Sequence, residues 1–263
     1  MFLSRLQNFA IETFAFTYRN YCLTKNEFYA LFEMLFWPII TLFTIGLLGV
    51  HLNLSSDEIS YILIGIIVYT IVQITQIDVA YVMLLDMWSL SLAYSVVTPV
   101  QFYKKFFGAW IFGIFRASIA FVLMIAISER MFNFVLKVPI DSLLLFLLGI
   151  FLSAMLVGIF NCILILTFGR RSEIFAWTLS GIIMIFCGIY YPVEILPEPF
   201  RTLGLLIPIT HFLEYFRSFY GLGRDLLLLG YIEVILYLII LTFLAEISLK
   251  RARKTGLVLK LSS

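Results

Sequence analysis

The sequence predicts an all-α polytopic membrane protein, and three observations carry that prediction. Of 263 residues, 62% are hydrophobic and only 13% are charged, whereas soluble domains hold about 45–50% apolar and about 25% charged residues. The mean hydropathy of +1.05 describes a surface that suits a bilayer rather than water. The apolar runs extend for about 20 residues, the length with which a helix crosses a hydrocarbon core, and not for the about 10-residue alternating segments of a membrane barrel. Helices also satisfy their own backbone groups inside lipid. The expectation is one transmembrane domain over residues 1–263, with six spans, an N-terminal interface helix and a re-entrant extracellular hairpin before the last span.

Residues 1–25 read as an amphipathic helix. Phe2, Leu6, Phe9, Thr13 and Phe16 recur at helical spacing, while Arg5, Asn8, Glu12 and Arg19 fall mostly on other faces, as in a helix lying in the membrane interface. No cleavable signal is expected, because Glu12 interrupts any apolar signal core. A first span covers residues 31–50, entered through Trp37-Pro38, and a second covers 59–85. The later half of the second carries Gln73, Gln76 and Asp78 on one side, which should face protein or water rather than lipid. Residues 86–105 form the least apolar interval of the first half, and Trp88, Leu92 and Tyr94 to Val96 allow a short amphipathic helix that Thr98-Pro99 would end.

A third span, 106–127, contains Arg116 near its middle, and a fourth covers 143–168 before a tight charged turn at 169–173. The fifth, 174–191, feeds the most unusual stretch of the chain. Pro192, Pro197 and Pro199 fall within eight residues, which stops a helix, yet Ile195, Leu196, Phe200, Leu203 and Leu205 to Ile207 are too apolar for a solvated loop. A short hairpin over 192–221 that dips into one face of the membrane reconciles the two. It includes Pro208, His211, Glu214 and Arg217. The sixth span covers 226–249 and ends in a basic cluster. Twelve Lys and Arg flank the spans on the side of the two termini and five on the other. Basic residues mark cytoplasmic segments, so both termini are expected inside a cell (inner) membrane and the hairpin outside.

Little in the sequence suits catalysis. A phosphate-binding GxxxxGK[ST] loop is missing, Gly221-Leu222-Gly223 lacks a strand–helix setting, and His51 and His211 are the only histidines. The net charge of +2 is too small to argue for nucleic acid. Cys22, Cys162 and Cys187 are far apart and odd in number, as expected of small buried hydrophobes rather than a disulfide framework or metal site. The intramembrane charges are informative, since an unpaired charge at the bilayer centre costs at least about 2.5 kcal/mol. Arg116 is expected to pair with Asp78, Glu33 or Glu233, and Glu33 also reads as an interfacial residue beside Trp37. Glu214 and Arg217, three residues apart on one turn, are expected to pair and fasten the hairpin.

Two blocks carry a resemblance: Leu84-Leu85-Asp86-Met87-Trp88-Ser89 with Val97-Thr98-Pro99-Val100, and Gly188-Ile189-Tyr190-Tyr191-Pro192 with Leu196-Pro197, Pro208-Ile209-Thr210-His211, Glu214 and Arg217. With the N-terminal amphipathic helix, they make the chain similar to the membrane-spanning permease subunits of type-2 ATP-binding-cassette exporters over essentially its full length. The resemblance implies no enzyme activity or cofactor in this chain. ATP and magnesium would bind a separate ATPase subunit. It also implies a homodimer, or a heterodimer with a related permease, and a cytoplasmic coupling helix over residues 86–96. Asp86, Trp88, Leu92, Tyr94 and Val96 would then face the ATPase. The cargo class stays broad: an amphipathic or hydrophobic drug, lipid, glycolipid or polysaccharide. The alternative from the residues alone is an ion-coupled secondary transporter or channel that uses Asp78 and Arg116.

Overall fold

The computed structural model describes residues 2–25, 28–92, 94 and 102–254, and among them the secondary structure is helical throughout. The chain order is α1 (Phe2–Thr24), α2 (Phe28–His51), α3 (Ser56–Trp88), α4 (Phe102–Phe132), α5 (Ile140–Phe168), α6 (Ile174–Phe186), α7 (Phe200–Leu205), α8 (Pro208–Ser218) and α9 (Leu227–Lys254). Tight 3-10 turns occupy Gly169–Ser172 and Val193–Ile195. Five described helices are long and apolar enough to cross a membrane: α2 to α5 and α9. The chain is therefore a polytopic helical membrane protein.

The central element is α3. Its most apolar stretch is 83% buried, against 11% for α9 at the periphery, as expected of a helix that is hydrophobic all round. It packs along α4 and α5, while α9 leans on α5 and α8. Its start is fixed by sequence: Ser55 and Glu58 form a capping box, with Ser55 N donating to Glu58 Oε2 at 2.8 Å and Glu58 N donating to Ser55 Oγ at 3.3 Å.

Three boundaries differ from expectation. The second span continues to Trp88, so Asp86 and Trp88 belong to the end of α3 and do not open a separate coupling helix. Leu85, Asp86 and Met87 carbonyls take the amides of Ser89, Ser91 and Leu90, an ending that uses the backbone before any new helix begins. Val96 and the Thr98-Pro99 stop lie outside the described residues. Pro38 does not mark the entry to a span but sits inside α2. The fifth span, expected over 174–191, ends as a helix at Phe186, because Gly188 takes a left-handed φ of 68° and Pro192 follows.

The proline-rich stretch forms two short helices. Pro192 precedes the Val193–Ile195 turn, Pro197 accepts the amides that start α7 through its carbonyl, the Glu198-Pro199 bond is cis, and Pro208 occupies the first turn of α8. There its missing N–H costs nothing and its fixed φ suits the helix.

The amphipathic α1 also departs from expectation. The face carrying Phe9, Thr13 and Phe16 packs on protein: Phe9 stacks on Tyr103 at 6.2 Å, Thr13 is buried, and Lys105 lies over the Phe16 ring at 5.5 Å. A second apolar stripe, Ile11, Phe14, Tyr18 and Tyr21, is the one left exposed.

Candidate functional site

A cavity of about 390 Å³ lies between the end of α1, the first half of α2 and the facing parts of α3, α4 and α6. Its walls include the rings of Trp37, Tyr81, Trp88 and Trp177, with Thr24, Gln73, Gln76, Arg116 and Ser180 as polar residues. The second half of α3 contributes most of one side. That half holds the Gln73, Gln76 and Asp78 cluster singled out by sequence, and the expectation that it avoids lipid holds: Gln76 and Asp78 are buried and Gln73 is half-buried at the cavity.

Behind the cavity wall the intramembrane charges meet. Arg116 Nη1 donates to Asp78 Oδ1 at 2.5 Å, both side chains being nearly buried. Of the two candidate partners for Arg116 whose side chains are described, Asp78 is the one that pairs with it. Glu233 is taken by His211 Nε2 at 3.2 Å, and the Glu33 side chain lies outside the described residues. Gln76 is engaged at both ends of its amide, donating to the Ala176 carbonyl at 3.0 Å and accepting from Asn161 Nδ2 at 2.7 Å. This network joins α3, α5 and α6 beside the cavity, while Asn161 Oδ1 and Asp78 Oδ2 are buried without a hydrogen-bond partner among the described residues. Asn161 escaped the sequence reading, since a lone Asn in an apolar run has no local signal of its partner.

At the end of α3 a second cluster forms. Arg19 Nη2 donates to the buried Asp86 at 2.5 Å, and Lys104 Nζ donates to Glu12 at 2.7 Å, tying α1 to the end of α3 and the start of α4. Trp88 Nε1 donates to Glu173 Oε1 at 2.9 Å, which joins the end of α3 to the turn before α6. Tyr81 makes edge contacts with both Trp88 and Trp177. Among the five residues expected to face an ATPase, Trp88 and Tyr94 are exposed, 39% and 79%. Asp86 and Leu92 are buried and serve the chain's own packing. For Asp86 the ion pair with Arg19 accounts for the burial.

The third cluster centres on Arg217, the largest fully buried side chain among the described residues. Its guanidinium donates to the carbonyls of Gly188 at 2.6 Å, Ile189 at 2.8 Å and Tyr61 at 3.1 Å, and stacks on the Tyr61 ring at 3.4 Å. The expected Glu214–Arg217 ion pair is absent among the described contacts, because the guanidinium is turned toward the carbonyls left open where α6 ends. Burial raises the Glu214 carboxyl above the usual carboxylate range, with the Arg217 charge opposing. Gly65 on α3 permits this arrangement: the Ile189 carbonyl oxygen occupies the space a Cβ would need. His211 Nε2 also meets the Leu205 carbonyl at 2.9 Å, and Thr210 Oγ1 donates to Gly204 at 2.7 Å, closing α7 onto α8.

No family model matches the chain. It is 59% identical over 58 residues to a protein of Archaeoglobus fulgidus whose name is "Uncharacterized protein", a match covering 22% of this chain and 91% of that protein.

Proposed function

We propose that this chain, which shares a family with that short Archaeoglobus fulgidus protein, is the permease subunit of an ATP-driven exporter of the type-2 ATP-binding-cassette class. It works with a second permease copy and a separate ATPase subunit that binds ATP and magnesium. The observation that carries the reading is that Trp88 belongs to two features at once: it lines the cavity and stands exposed at the end of α3. A partner pressing on Trp88 and Tyr94 acts on the cavity wall directly, and through Glu173 on the start of α6. The α7–α8 hairpin is the re-entrant element at the outer end, and both termini lie on the cytoplasmic side of the cell membrane.

Affinity capture of the full chain from native membranes tests this. The expected result is co-purification of a protein carrying GxxxxGK[ST] together with ATP hydrolysis, both lost in a Trp88→Glu, Tyr94→Glu variant that keeps its fold. Transport by the purified chain with no ATPase present overturns the reading.

The buried Asp78–Arg116 pair favours one second reading, an ion-coupled transporter in which the pair exchanges its partner for an ion. That reading expects uptake or efflux driven by an ion gradient and abolished by Asp78→Asn. ATP-dependent export that persists in Asp78→Asn without a gradient excludes it.

A further inference from the structure

The cavity between α2, α3 and α6 is chemically specific enough to name what it takes. Its rings, Trp37, Tyr81, Trp88 and Trp177, offer flat π faces, which attract the apolar face of a ring more than a flexible chain. Its volume, about 390 Å³, falls within the roughly 300–1,000 Å³ of small-molecule sites.

The polar groups on the wall divide into used and unused. Both ends of the Gln76 amide are bonded within the protein, and Ser180 Oγ donates to the Trp177 carbonyl at 3.1 Å. Gln73 is different: its side-chain amide makes no hydrogen bond with any described residue, although it sits in the middle of a membrane-crossing helix. An amide moved out of water with no partner costs roughly 2–7 kcal/mol. Gln73 therefore presents one donor group and one acceptor to whatever fills the cavity.

Charge decides the remaining question. Arg116 reaches the wall, but its charge is met by Asp78 at 2.5 Å. An anion has to compete with Asp78 for Arg116, and a cation approaches Arg116 against repulsion. Neither is favoured over a neutral molecule in a site of low dielectric.

We infer that this cavity binds a neutral molecule with a flat apolar ring face and a hydroxyl- or amide-bearing edge, stacked on the tryptophans and held by Gln73. Its place in transport rests on the exporter reading; the binding itself does not. The same chemistry comes from two sources: a sugar unit at the head of a glycolipid, or a planar neutral heteroaromatic compound.

The chain reports its own occupancy. Three of its four tryptophans line the cavity, while Trp110 is buried elsewhere with its indole bonded to the Phe151 carbonyl. The test uses the full chain in lipid nanodiscs and reads tryptophan emission during titration with octyl glucoside below its micelle concentration, caffeine, octyl sulfate and octyltrimethylammonium. A saturable change with octyl glucoside supports the site with a sugar source, and one with caffeine supports it with a heteroaromatic source. In either case Gln73→Leu weakens binding by roughly five- to tenfold, the loss of one hydrogen bond, and Gln73→Asn restores part of it. Equal thermal unfolding of the three proteins confirms that the effect is local. The inference is overturned if neither neutral probe saturates, if an ionic probe of the same chain length binds more tightly than octyl glucoside, or if Gln73→Leu binds like the parent. Saturable, Gln73-dependent binding by a chain that captures no ATPase leaves this site standing and removes the exporter reading. Captured ATP hydrolysis with no neutral-probe binding does the reverse.

Discussion

Arg217 shows at the level of one residue how a membrane protein accommodates irregular backbone. A lipid-exposed carbonyl without a donor is costly, so non-helical chain at membrane depth must be wrapped in protein. One guanidinium supplies donors to three carbonyls, Gly188, Ile189 and Tyr61, and its planar fork suits that task better than an ammonium. Each hydrogen bond from a charged donor contributes about 1.5–3 kcal/mol, so Arg217→Met is expected to lower stability by at least about 3 kcal/mol and to cut the yield of monodisperse protein. Arg217→Lys recovers part of this. Glu214→Gln is expected to change stability far less, within about 1 kcal/mol, because the guanidinium does not rest on that carboxylate. Thermal unfolding in detergent distinguishes the two; equal losses at both positions would restore the ion pair read from their spacing. Sequence alone favoured that pair because residues three apart on a helix are neighbours, whereas Gly188 and Tyr61 reach Arg217 only through the folded chain.

Among the elements, the long helices were legible because composition and length dictate them, whereas the Ser55–Glu58 capping box, which starts α3 ahead of the expected residue 59, was not read from the sequence. Pairing of Asp78 with Arg116 was legible as well, since an intramembrane charge needs an opposite one and few are present. What sequence did not reveal was which apolar face of α1 meets the protein. Both Phe9–Thr13–Phe16 and Ile11–Phe14–Tyr18 repeat at helical spacing, and the choice is made on α4 by Gly108. A Cβ there would collide with the Thr13 carbonyl, the Phe16 Cβ and the Thr17 nitrogen, and Thr17 Oγ1 donates to the Gly108 carbonyl at 2.9 Å. Close backbone approach at a small residue is how membrane helices gain contact where burial of apolar surface offers little. Gly108→Val is therefore expected to lift α1 away, weakening the Arg19–Asp86 and Glu12–Lys104 links while α3 and α5 stay folded. Hydrogen exchange should accelerate by an order of magnitude or more across residues 9–20, roughly the loss of one to two kcal/mol of local protection, with α3 unchanged. Acceleration spread over the whole chain would show instead that α1 and the bundle are one unit.

For the whole molecule the decisive question is parity. Five long helices are an odd number, and an odd number of crossings puts the two ends on opposite sides. The chain returns to its starting side only if α6 also crosses. Its 13 residues span about 20 Å at about 1.5 Å per residue, short of a hydrocarbon core of about 30 Å. The deficit is covered by the backbone that follows. The Ile185 carbonyl accepts from Tyr191 at 2.7 Å, that of Ile183 from the Cys187 amide, and those of Gly188 and Ile189 from Arg217. A segment so satisfied has the means to cross without remaining helical, and the proposed six crossings, with α7 and α8 at the far end, rest on that property. Cysteine labelling reads this directly, because Cys162 and Cys187 are buried and unpaired and Cys22 is the more accessible native thiol. In a Cys22→Ser background, Asp57→Cys, Asp225→Cys and Lys254→Cys place single thiols at exposed positions. A membrane-impermeant maleimide applied to intact cells is expected to label the variants at 57 and 225 and to spare the one at 254 until the membrane is opened. If α6 turns back without crossing, the pattern at the last two positions inverts: 225 is protected and 254 is labelled from outside. That inversion would move the α7–α8 hairpin to the same side as Trp88 and Tyr94, and with it would go the assignment of opposite ends of the molecule to cargo exit and ATPase docking.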